Sequence, residues 1–383
     1  MRDLLFGGLP GLADIIIRPP RLAYALSDLG PAEFSLQGRT YARADLQLVN
    51  SRGHALECSH FQPLGLQDEA KPLPCVVYLH GNSSSRLEAD DVLPVLLPKG
   101  ITVFCFDMSG SGRSQGEYVS LGYHEQDDLK AVVSHLRGSG RASAIGVWGR
   151  SMGAATAVLH AASDHLVAGY VMDSPFTGLS ALMEELVAST GPLSSLALPG
   201  FVQRWVLEEI RKDILSRADF DIDELLPVDD APLAASPGLF ATAEDDDVVR
   251  PHHGQELHDA WGGREKELVT FEGGHNGYRP LWYLERAAAF LERHLSAAAR
   301  SGVVRPLPGA AALAPRRVHA PRPPPLPYPA DGNPLPRSAV VQIQAEAADA
   351  LRQHLRRLSV SRPPPQRPPL APPAGAAAGS AAS

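Results

Sequence analysis

Short apolar runs alternate with helix-length segments between about residues 42 and 295. The runs are rich in Val, Ile and Phe, which is typical of strands buried on both faces of a mostly parallel sheet. The pattern therefore predicts an α/β fold with a mostly parallel, twisted sheet of about eight strands flanked by helices. The first two strands are expected to form a hairpin around Ser51–Gly53. The predicted strands are Asp45–Asn50, Ala55–Phe61, Cys75–His80, Val103–Asp107, Ala144–Trp148, Ala168–Met172, Gly238–Thr242 and Glu267–Phe271.

One connection, between Asp173 and Leu239, is too long for a simple crossover between neighbouring strands. Most of it has apolar residues at helical spacing, first over Leu182–Ala188 and then over Val202–Ser216. Long insertions in compact domains usually carry function. We therefore predict a helical cap insertion over about residues 177–232, lying above the carboxyl edge of the sheet.

The N-terminal residues 1–41 are predicted to be an extension that packs on a body spanning residues 42–298. The stretch Leu4–Ile17 is fairly apolar, but glycines and a proline interrupt it and it is too short to span a bilayer. No cleavage site follows a clean apolar core, which argues against a secretory signal. Packing on the body is the favoured interpretation, and a peripheral membrane contact is the alternative.

Residues 299–383 have a different composition from the body. Eighteen of the chain's 35 prolines fall in the last 83 residues, with alanine and glycine filling much of the rest. Such a segment is predicted to be a disordered tail, within which residues 338–358 have the apolar stripe of an amphipathic helix. The polyproline-type stretch Pro321–Pro327 is one that an SH3 or WW domain could bind, although a plain disordered tail is favoured.

Charge and cysteine content narrow the functional classes. The last 83 residues hold ten arginines against three acidic residues, so the net charge of −8 leaves about −15 on the first 300 residues. An acidic body gives no support to nucleic-acid binding. The three cysteines, Cys58, Cys75 and Cys105, are too few and too apolar in context for a disulfide framework, which favours a reducing, cytoplasmic location. The sequence shows neither metal-ligand spacing nor a dinucleotide fingerprint, so no cofactor or metal is expected.

The strongest chemical signal is Gly149-Arg150-Ser151-Met152-Gly153. It follows an apolar strand and precedes a helix of small residues, which is the context that a G-x-S-x-G nucleophile motif requires. The serine of such a motif sits on a sharp, strained turn that projects its hydroxyl from the sheet. Glycines two residues to either side avoid collisions there. Ser151 is the predicted nucleophile.

A second signal is His80-Gly81-Asn82-Ser83, which directly follows another predicted strand. Acyl transfer requires backbone N–H donors aimed at the position where an oxyanion develops. We expect one donor to be the amide of Met152, and the other to be the amide of Asn82, with Ser83 as the alternative. His80 is expected to shape this loop.

The base and the acid are predicted downstream of the serine. His275 follows Glu272-Gly273-Gly274 at the end of the last strand, where a flexible turn can bring an imidazole over the serine. It is the predicted general base. A carboxylate at the exit of the preceding strand can reach this histidine, but Asp245, Asp246 and Asp247 are adjacent there, so the residues alone leave the acid open.

From about Arg18 to Leu295 the chain resembles the α/β-hydrolase superfamily, in particular its serine aminopeptidase-like and acyl-protein-thioesterase-like branch. Besides the motifs above, Phe106–Ser114 matches the Asp-x-x-Gly-x-Gly-x-Ser loop of the superfamily, which is structural there. The resemblance implies a Gly-x-x-Asp-x-x-Val pattern at the acid. Laid over residues 243–249 it selects Asp246, although Ala243 stands in place of the glycine. Some members carry the acid after the preceding strand, which makes Asp173 the runner-up acid.

The resulting expectation is a serine hydrolase that cleaves an ester, thioester or amide of a small-molecule or acylated substrate. Ser151 would attack, His275 would take its proton and Asp246 would fix the imidazole. The alternative from another class is a non-catalytic binding or scaffold protein with the same fold. A scaffold has no need to keep a serine, an acid and a histidine together, which favours the enzyme.

Overall fold

The computed structural model describes residues 13–14, 16–65, 72–190 and 200–301. Their strands form one sheet in the order β1-β2-β3-β5-β4-β6-β7-β8-β9. The strands are β1 Glu33–Leu36, β2 Arg39–Val49, β3 Ala55–Pro63, β4 Leu73–Leu79, β5 Thr102–Phe106, β6 Ala142–Arg150, β7 Tyr170–Asp173, β8 Gly238–Ala243 and β9 Lys266–Phe271. From β5 to β9 all neighbours are parallel, whereas β1, β2 and β3 are attached in antiparallel pairs.

Helices cover the sheet. The α-helices are α1 Leu93–Leu96, α2 Glu125–Gly138, α3 Met152–Ala161, α4 Leu179–Thr190, α5 Gly200–Ala218, α6 Pro227–Asp230, α7 Pro251–Ala260 and α8 Leu281–Ser301. Two apolar clusters form the core. One contains buried residues of α2, α3 and α7, and the other contains those of α1 and α8. The central strands contribute to both, which explains why β4, β5 and β8 are apolar almost throughout rather than alternating.

The predicted fold class is confirmed, with one strand more than the eight that the pattern indicated. The additional strand, β1, has four residues that are all exposed or half-buried, so it has no apolar run to reveal it. The predicted hairpin is present, and Gly53 adopts a positive φ of 80° in its turn. The boundary placed at residue 41/42 falls inside β2, because the polar outer residues of this strand hide its first half. At the other end α8 continues to Ser301, three residues past the expected boundary.

The insertion between β7 and β8 is helical, as the apolar spacing indicated, and contains α4, α5 and α6. It is packed on the body through buried side chains, among them Ile210, Ile214 and Phe220. Phe220 stacks on Tyr123 with ring centroids 5.6 Å apart. Glu185 of α4 lies 3.1 Å from His252 at the start of α7. Since α7 follows the carboxyl end of β8, this contact places α4 beside that edge of the sheet.

The described part of the N-terminal segment packs on the body. Ala13 and Ile17 are fully buried, and the Ile17 carbonyl accepts a hydrogen bond of 2.8 Å from the amide of Val119. Within the described ranges, the helices are all too short or too polar to cross a membrane. The predicted tail beyond Ser301, with its amphipathic helix at 338–358 and its polyproline stretch, lies outside the described residues.

Candidate active site

Ser151 occupies a sharp turn between β6, which ends at Arg150, and α3, which begins at Met152. Its backbone has φ 52° and ψ −116°, a conformation that L-residues rarely adopt and that costs of order 1–3 kcal/mol. A Cβ at Gly149 would lie 2.1 Å from the carbonyl oxygen of Gly153, and a Cβ at Gly153 would lie 2.3 Å from a carbonyl oxygen of β4. Both glycines are therefore required if the turn is to be this tight.

The structure brings Ser151, His275 and Asp246 into one line of hydrogen bonds. The Oγ of Ser151 lies 2.9 Å from Nε2 of His275, and Nδ1 of His275 lies 2.8 Å from Oδ2 of Asp246. An ionised carboxylate can only accept, so Nδ1 carries the proton and Nε2 is left as an acceptor for the serine hydroxyl. His275 and Asp246 are buried, whereas Ser151 is partly exposed. This arrangement can remove a proton from the hydroxyl.

The turn after β8 selects one of the three adjacent aspartates. The amide of Asp246 bonds back to the carbonyl of Ala243, and its Oδ1 accepts hydrogen bonds from the amides of Val248 and Val249 at 3.0 and 2.8 Å. The carboxylate is thereby fixed with its other oxygen towards the imidazole. The side chains of Asp245 and Asp247 are exposed instead.

The loop after β4 lies beside the serine. A Cβ at Gly81 would lie 3.7 Å from Cβ of Ser151, so the loop passes within contact distance of Ser151. The Gly81 amide is directed to the carboxylate of Glu88, at 3.3 Å to either oxygen. The next amide along the loop is that of Asn82. Met152 is the first residue of α3, where a helix leaves its amides without intrahelical partners. The Asn82 and Met152 amides stay the predicted oxyanion donors.

His80 is buried and holds the loop, as its sequence context indicated. Its Nε2 accepts a hydrogen bond of 3.0 Å from the amide of Met108, and its Nδ1 lies 2.8 Å from the carbonyl oxygen of Gly81. Asp107 also holds a loop, because its two carboxylate oxygens accept hydrogen bonds from the backbone amides of Arg86 and Arg113 at 2.7 and 2.8 Å. These contacts join the loops after β4 and β5 into one framework.

Asp173, the runner-up acid, does not contact His275. Its carboxylate forms a bidentate ion pair with Arg279, with Nε and Nη2 each 2.8 Å from an oxygen. Burial alone would raise the pKa of Asp173, but the adjacent guanidinium outweighs it and holds that pKa below its ordinary value. Both available oxygens are thus committed to Arg279. The arrangement disfavours Asp173 as the partner of the imidazole.

Two arginines near the histidine went unrecognised in the sequence. Nη1 of Arg279 lies 3.0 Å from the carbonyl oxygen of His275, and Nη2 of Arg150 lies 3.0 Å from the same oxygen. Arg150 directly precedes Ser151 and Arg279 follows His275 by four residues, which is the only local signal that either carries. Arg150 contacts His275, which is 125 residues later in the chain, and Arg279 contacts Asp173, which is 106 residues earlier.

His253, in the first turn of α7, is buried. Its Nδ1 lies 2.8 Å from Oγ1 of Thr177, and its Nε2 lies 3.6 Å from Oε1 of Glu185 in the cap. Contact with the cap insertion shields this ring from water. The periodicity of the sequence around His253 cannot predict such a contact between distant segments. Burial lowers the pKa of His253 below its ordinary value.

Among the described side chains, Glu185, His252 and His253 hold their possible metal-ligand atoms within 4.8 Å of one another. The two imidazoles are stacked with centroids 4.2 Å apart and an interplanar angle of 28°. The three groups form polar contacts that join the cap to α7.

Known proteins with related sequences share the central part of the chain. Residues 70–226 match the family model described as serine aminopeptidase, S33. The uncharacterized protein YqkD of Bacillus subtilis (strain 168) is 29% identical over 205 residues, which are 52% of this chain and 64% of that protein. The chain thus spans just under two thirds of the length of this relative.

Solved structures share the fold. The esterase Pf2001 of Pyrococcus furiosus superimposes with a TM-score of 0.54 and 22% identity, covering 72% of this chain and 98% of that one. An acetyl xylan esterase from Paenibacillus sp. R4 gives a TM-score of 0.51 and 16% identity, covering 76% and 94%. Identities this low establish architecture alone. Together with the sheet order and the strained serine turn, they show that the chain has the α/β-hydrolase fold.

Proposed function

We propose that the chain is a serine hydrolase that cleaves an ester, thioester or amide through an acyl-enzyme intermediate. The observation that carries the proposal is the pair of hydrogen bonds from Ser151 to His275 at 2.9 Å and from His275 to Asp246 at 2.8 Å. The family-model match and the fold support hydrolase activity in general. The hydrogen bonds among Ser151, His275 and Asp246 are the reason to propose Ser151 as the nucleophile.

In the first half of the reaction, Oγ of Ser151 forms a bond to the substrate carbonyl carbon as Nε2 of His275 takes the hydroxyl proton. Asp246 stabilises the resulting imidazolium. The carbonyl oxygen becomes an oxyanion, which the amides of Met152 and Asn82 are proposed to stabilise. When the carbonyl reforms, the leaving group departs with the proton from His275 and an acyl-serine remains.

In the second half, water takes the place of the leaving group. His275 removes a proton from the water, whose oxygen attacks the acyl carbon, and the tetrahedral species collapses to the free acid. The proton on His275 returns to Oγ of Ser151. Ser151 is partly exposed while His275 and Asp246 are buried, an arrangement that lets water reach the acyl group and still shields the base from bulk solvent.

The kind of bond is proposed from the fold relatives. The Pyrococcus structure is that of an esterase and the Paenibacillus structure is that of an acetyl xylan esterase. Carboxylic esters are therefore the first substrates to assay, with acyl thioesters and aminoacyl amides as the second and third. Comparing the hydrolysis of p-nitrophenyl acetate with that of p-nitrophenyl octanoate would show whether the site accepts short or long acyl chains.

A fluorophosphonate probe tests the proposal, since it labels a serine only when the serine is activated as a nucleophile. We expect labelling of the wild type, none in Ser151→Ala, and a loss of turnover of at least about 10⁴-fold in that variant. Ser163→Ala is a matched control, because this serine caps the distant end of α3 by bonding to the His160 carbonyl. Folded wild-type protein that takes up no probe and hydrolyses none of these substrates would favour the scaffold alternative.

A further inference from the structure

Asp173 is attached to both sides of the candidate site. Its carbonyl oxygen accepts a hydrogen bond of 2.8 Å from the amide of Ser151, which fixes the strained turn. Its side chain forms the bidentate pair with Arg279. One residue at the end of β7 thus contacts the nucleophile through its backbone and an arginine beside the base through its carboxylate.

Arg279 in turn holds the loop that carries His275. The same Nη1 lies 3.0 Å from the carbonyl oxygen of His275, 3.1 Å from that of Gly277 and 3.3 Å from that of Gly274. Three carbonyls of one turn therefore converge on one nitrogen. The glycines of this turn give it little stiffness of its own, so its conformation depends on this contact.

The pair of Asp173 and Arg279 is shielded from water. Asp173 and Arg279 are 2% and 4% exposed, and the guanidinium also lies 4.9 Å from the centre of the Phe271 ring. A planar guanidinium can bind a carboxylate with two nitrogens and direct its remaining N–H groups elsewhere, which an ammonium cannot do. The contacts of Arg279 use this property: Nε and Nη2 face Asp173, and Nη1 faces the loop.

We infer that Asp173 and Arg279 are positioning residues, which set the imidazole of His275 relative to Ser151. The inference rests on the proposed function and assigns the former runner-up acid a different role in it. Neither residue touches the reacting atoms. Their effect is to hold the distance between Oγ and Nε2, and a displacement of about 1 Å there is enough to cost on the order of 10²-fold in rate.

Two variants separate positioning from folding. Arg279→Lys keeps the charge but offers a single ammonium in place of the planar fork. The double variant Asp173→Asn/Arg279→Gln keeps a neutral hydrogen-bonded pair and leaves no unpaired charge buried. Arg137→Lys is the matched control, because Arg137 forms an equally bidentate pair with Asp164 at 2.7 and 2.9 Å. Asp164 follows the far end of α3, about 15 Å from the serine by the rise of a ten-residue helix.

The measurements are near-UV circular dichroism, the rate of fluorophosphonate labelling, and kcat and KM on a p-nitrophenyl ester. In both Arg279 variants we expect a native spectrum, a fall of about 10- to 100-fold in kcat and in labelling rate, and a KM within about threefold of wild type. Arg279→Lys should retain more activity than the double variant, and Arg137→Lys should label at the wild-type rate.

Other results would overturn the inference. Folded Arg279 variants that label as fast as wild type would show that the pair does not set the imidazole. An equal fall in Arg137→Lys would mean that any bidentate ion pair has the same effect, and loss of the native spectrum in both Arg279 variants would assign the pair to folding alone. A wild type that does not label would instead refute the proposed function, and the positioning role with it.

Discussion

Replacing Asp246 by asparagine should reverse the hydrogen bond that defines the histidine tautomer. Oδ1 of Asp246 accepts from two backbone amides, at 3.0 and 2.8 Å, so the oxygen of an introduced side-chain amide must stay on that side. Its NH₂ group then faces Nδ1 of His275. Nδ1 has to become an acceptor, and the proton moves to Nε2, which faces Ser151 and can no longer accept the hydroxyl proton.

The size of the effect follows from the loss of the base. A triad with the wrong tautomer loses on the order of 10⁴-fold in kcat, which corresponds to about 5 kcal/mol of transition-state stabilisation. Because the geometry of the turn is preserved, KM and the thermal midpoint of Asp246→Asn should stay close to those of wild type. The assay is hydrolysis of p-nitrophenyl acetate at saturating substrate, together with the labelling rate of the fluorophosphonate probe.

Asp245→Asn and Asp247→Asn are the matched controls, since both side chains are exposed and neighbour Asp246 directly in the sequence. They change the local charge by the same amount and leave the tautomer alone, so we expect less than about a twofold change in kcat. The reasoning is refuted if Asp246→Asn keeps kcat within tenfold of wild type, or if either control falls as far as Asp246→Asn does.

Two further predictions concern stability. Gly153→Ala should lower the thermal midpoint and slow probe labelling, because its Cβ would lie 2.3 Å from a carbonyl oxygen of β4, an overlap that costs roughly 1–3 kcal/mol or more. Acidification should destabilise the fold, since burial lowers the pKa of His60 and of His160 to about 4 from an ordinary value near 6.5. Both rings are neutral when buried, so this stability is complete above pH 6.5 and declines as the pH falls towards 4, by up to about 3 kcal/mol for each ring.

The controls for these two predictions are also in the chain. Gly138→Ala, at the end of α2, meets nothing within 4 Å and should leave the midpoint unchanged or slightly higher. His60→Gln should reduce the loss of midpoint between pH 6.5 and 4.5 in scanning calorimetry, while His165→Gln, at an exposed position, should not. If the thermal midpoint of His60→Gln falls as much between pH 6.5 and 4.5 as that of wild type, the predicted effect of histidine burial is wrong. If Gly153→Ala is as stable as wild type, the predicted steric overlap is wrong.

How much of the site the sequence could predict depended on how local each signal was. Ser151 has its glycines, strand and helix within a few residues, and His275 follows a strand on a Gly-Gly turn. Asp246 could not be chosen from local signals alone, because it is one of three adjacent aspartates and only the conformation of the turn decides which of them points inward. That direction comes from the bonds of Asp246 to Ala243 and to the two amides beyond, which have no sequence signature of their own.

Arg279 and the burial of His253 could not be predicted in this way. The role of Arg279 depends on a carboxylate 106 residues earlier, and the burial of His253 depends on a cap that leaves the body after β7 and returns before β8. Likewise β1 is visible only through its pairing with β2, since its own residues are half-buried or exposed. Contacts between distant segments are set by the assembled sheet, and single-sequence periodicity carries no record of them.

Backbone strain and functional contacts coincide at the carboxyl edge of the sheet. Three non-glycine residues with positive φ follow three of its strands, namely Ser83 after β4, Ser151 after β6 and Ser174 after β7. Each such conformation costs of order 1–3 kcal/mol and persists only where the surroundings over-determine it. For Ser151 and Ser174 the surroundings are the bond from the Ser151 amide to the Asp173 carbonyl, the bond from the Ser174 amide to β8, and the guanidinium of Arg279 beside the Ser174 hydroxyl. In the positioning role that we infer for Asp173 and Arg279, the same contacts that stabilise the strained turns also set the distance between Ser151 and His275, so stability and the proposed catalysis are coupled at this edge.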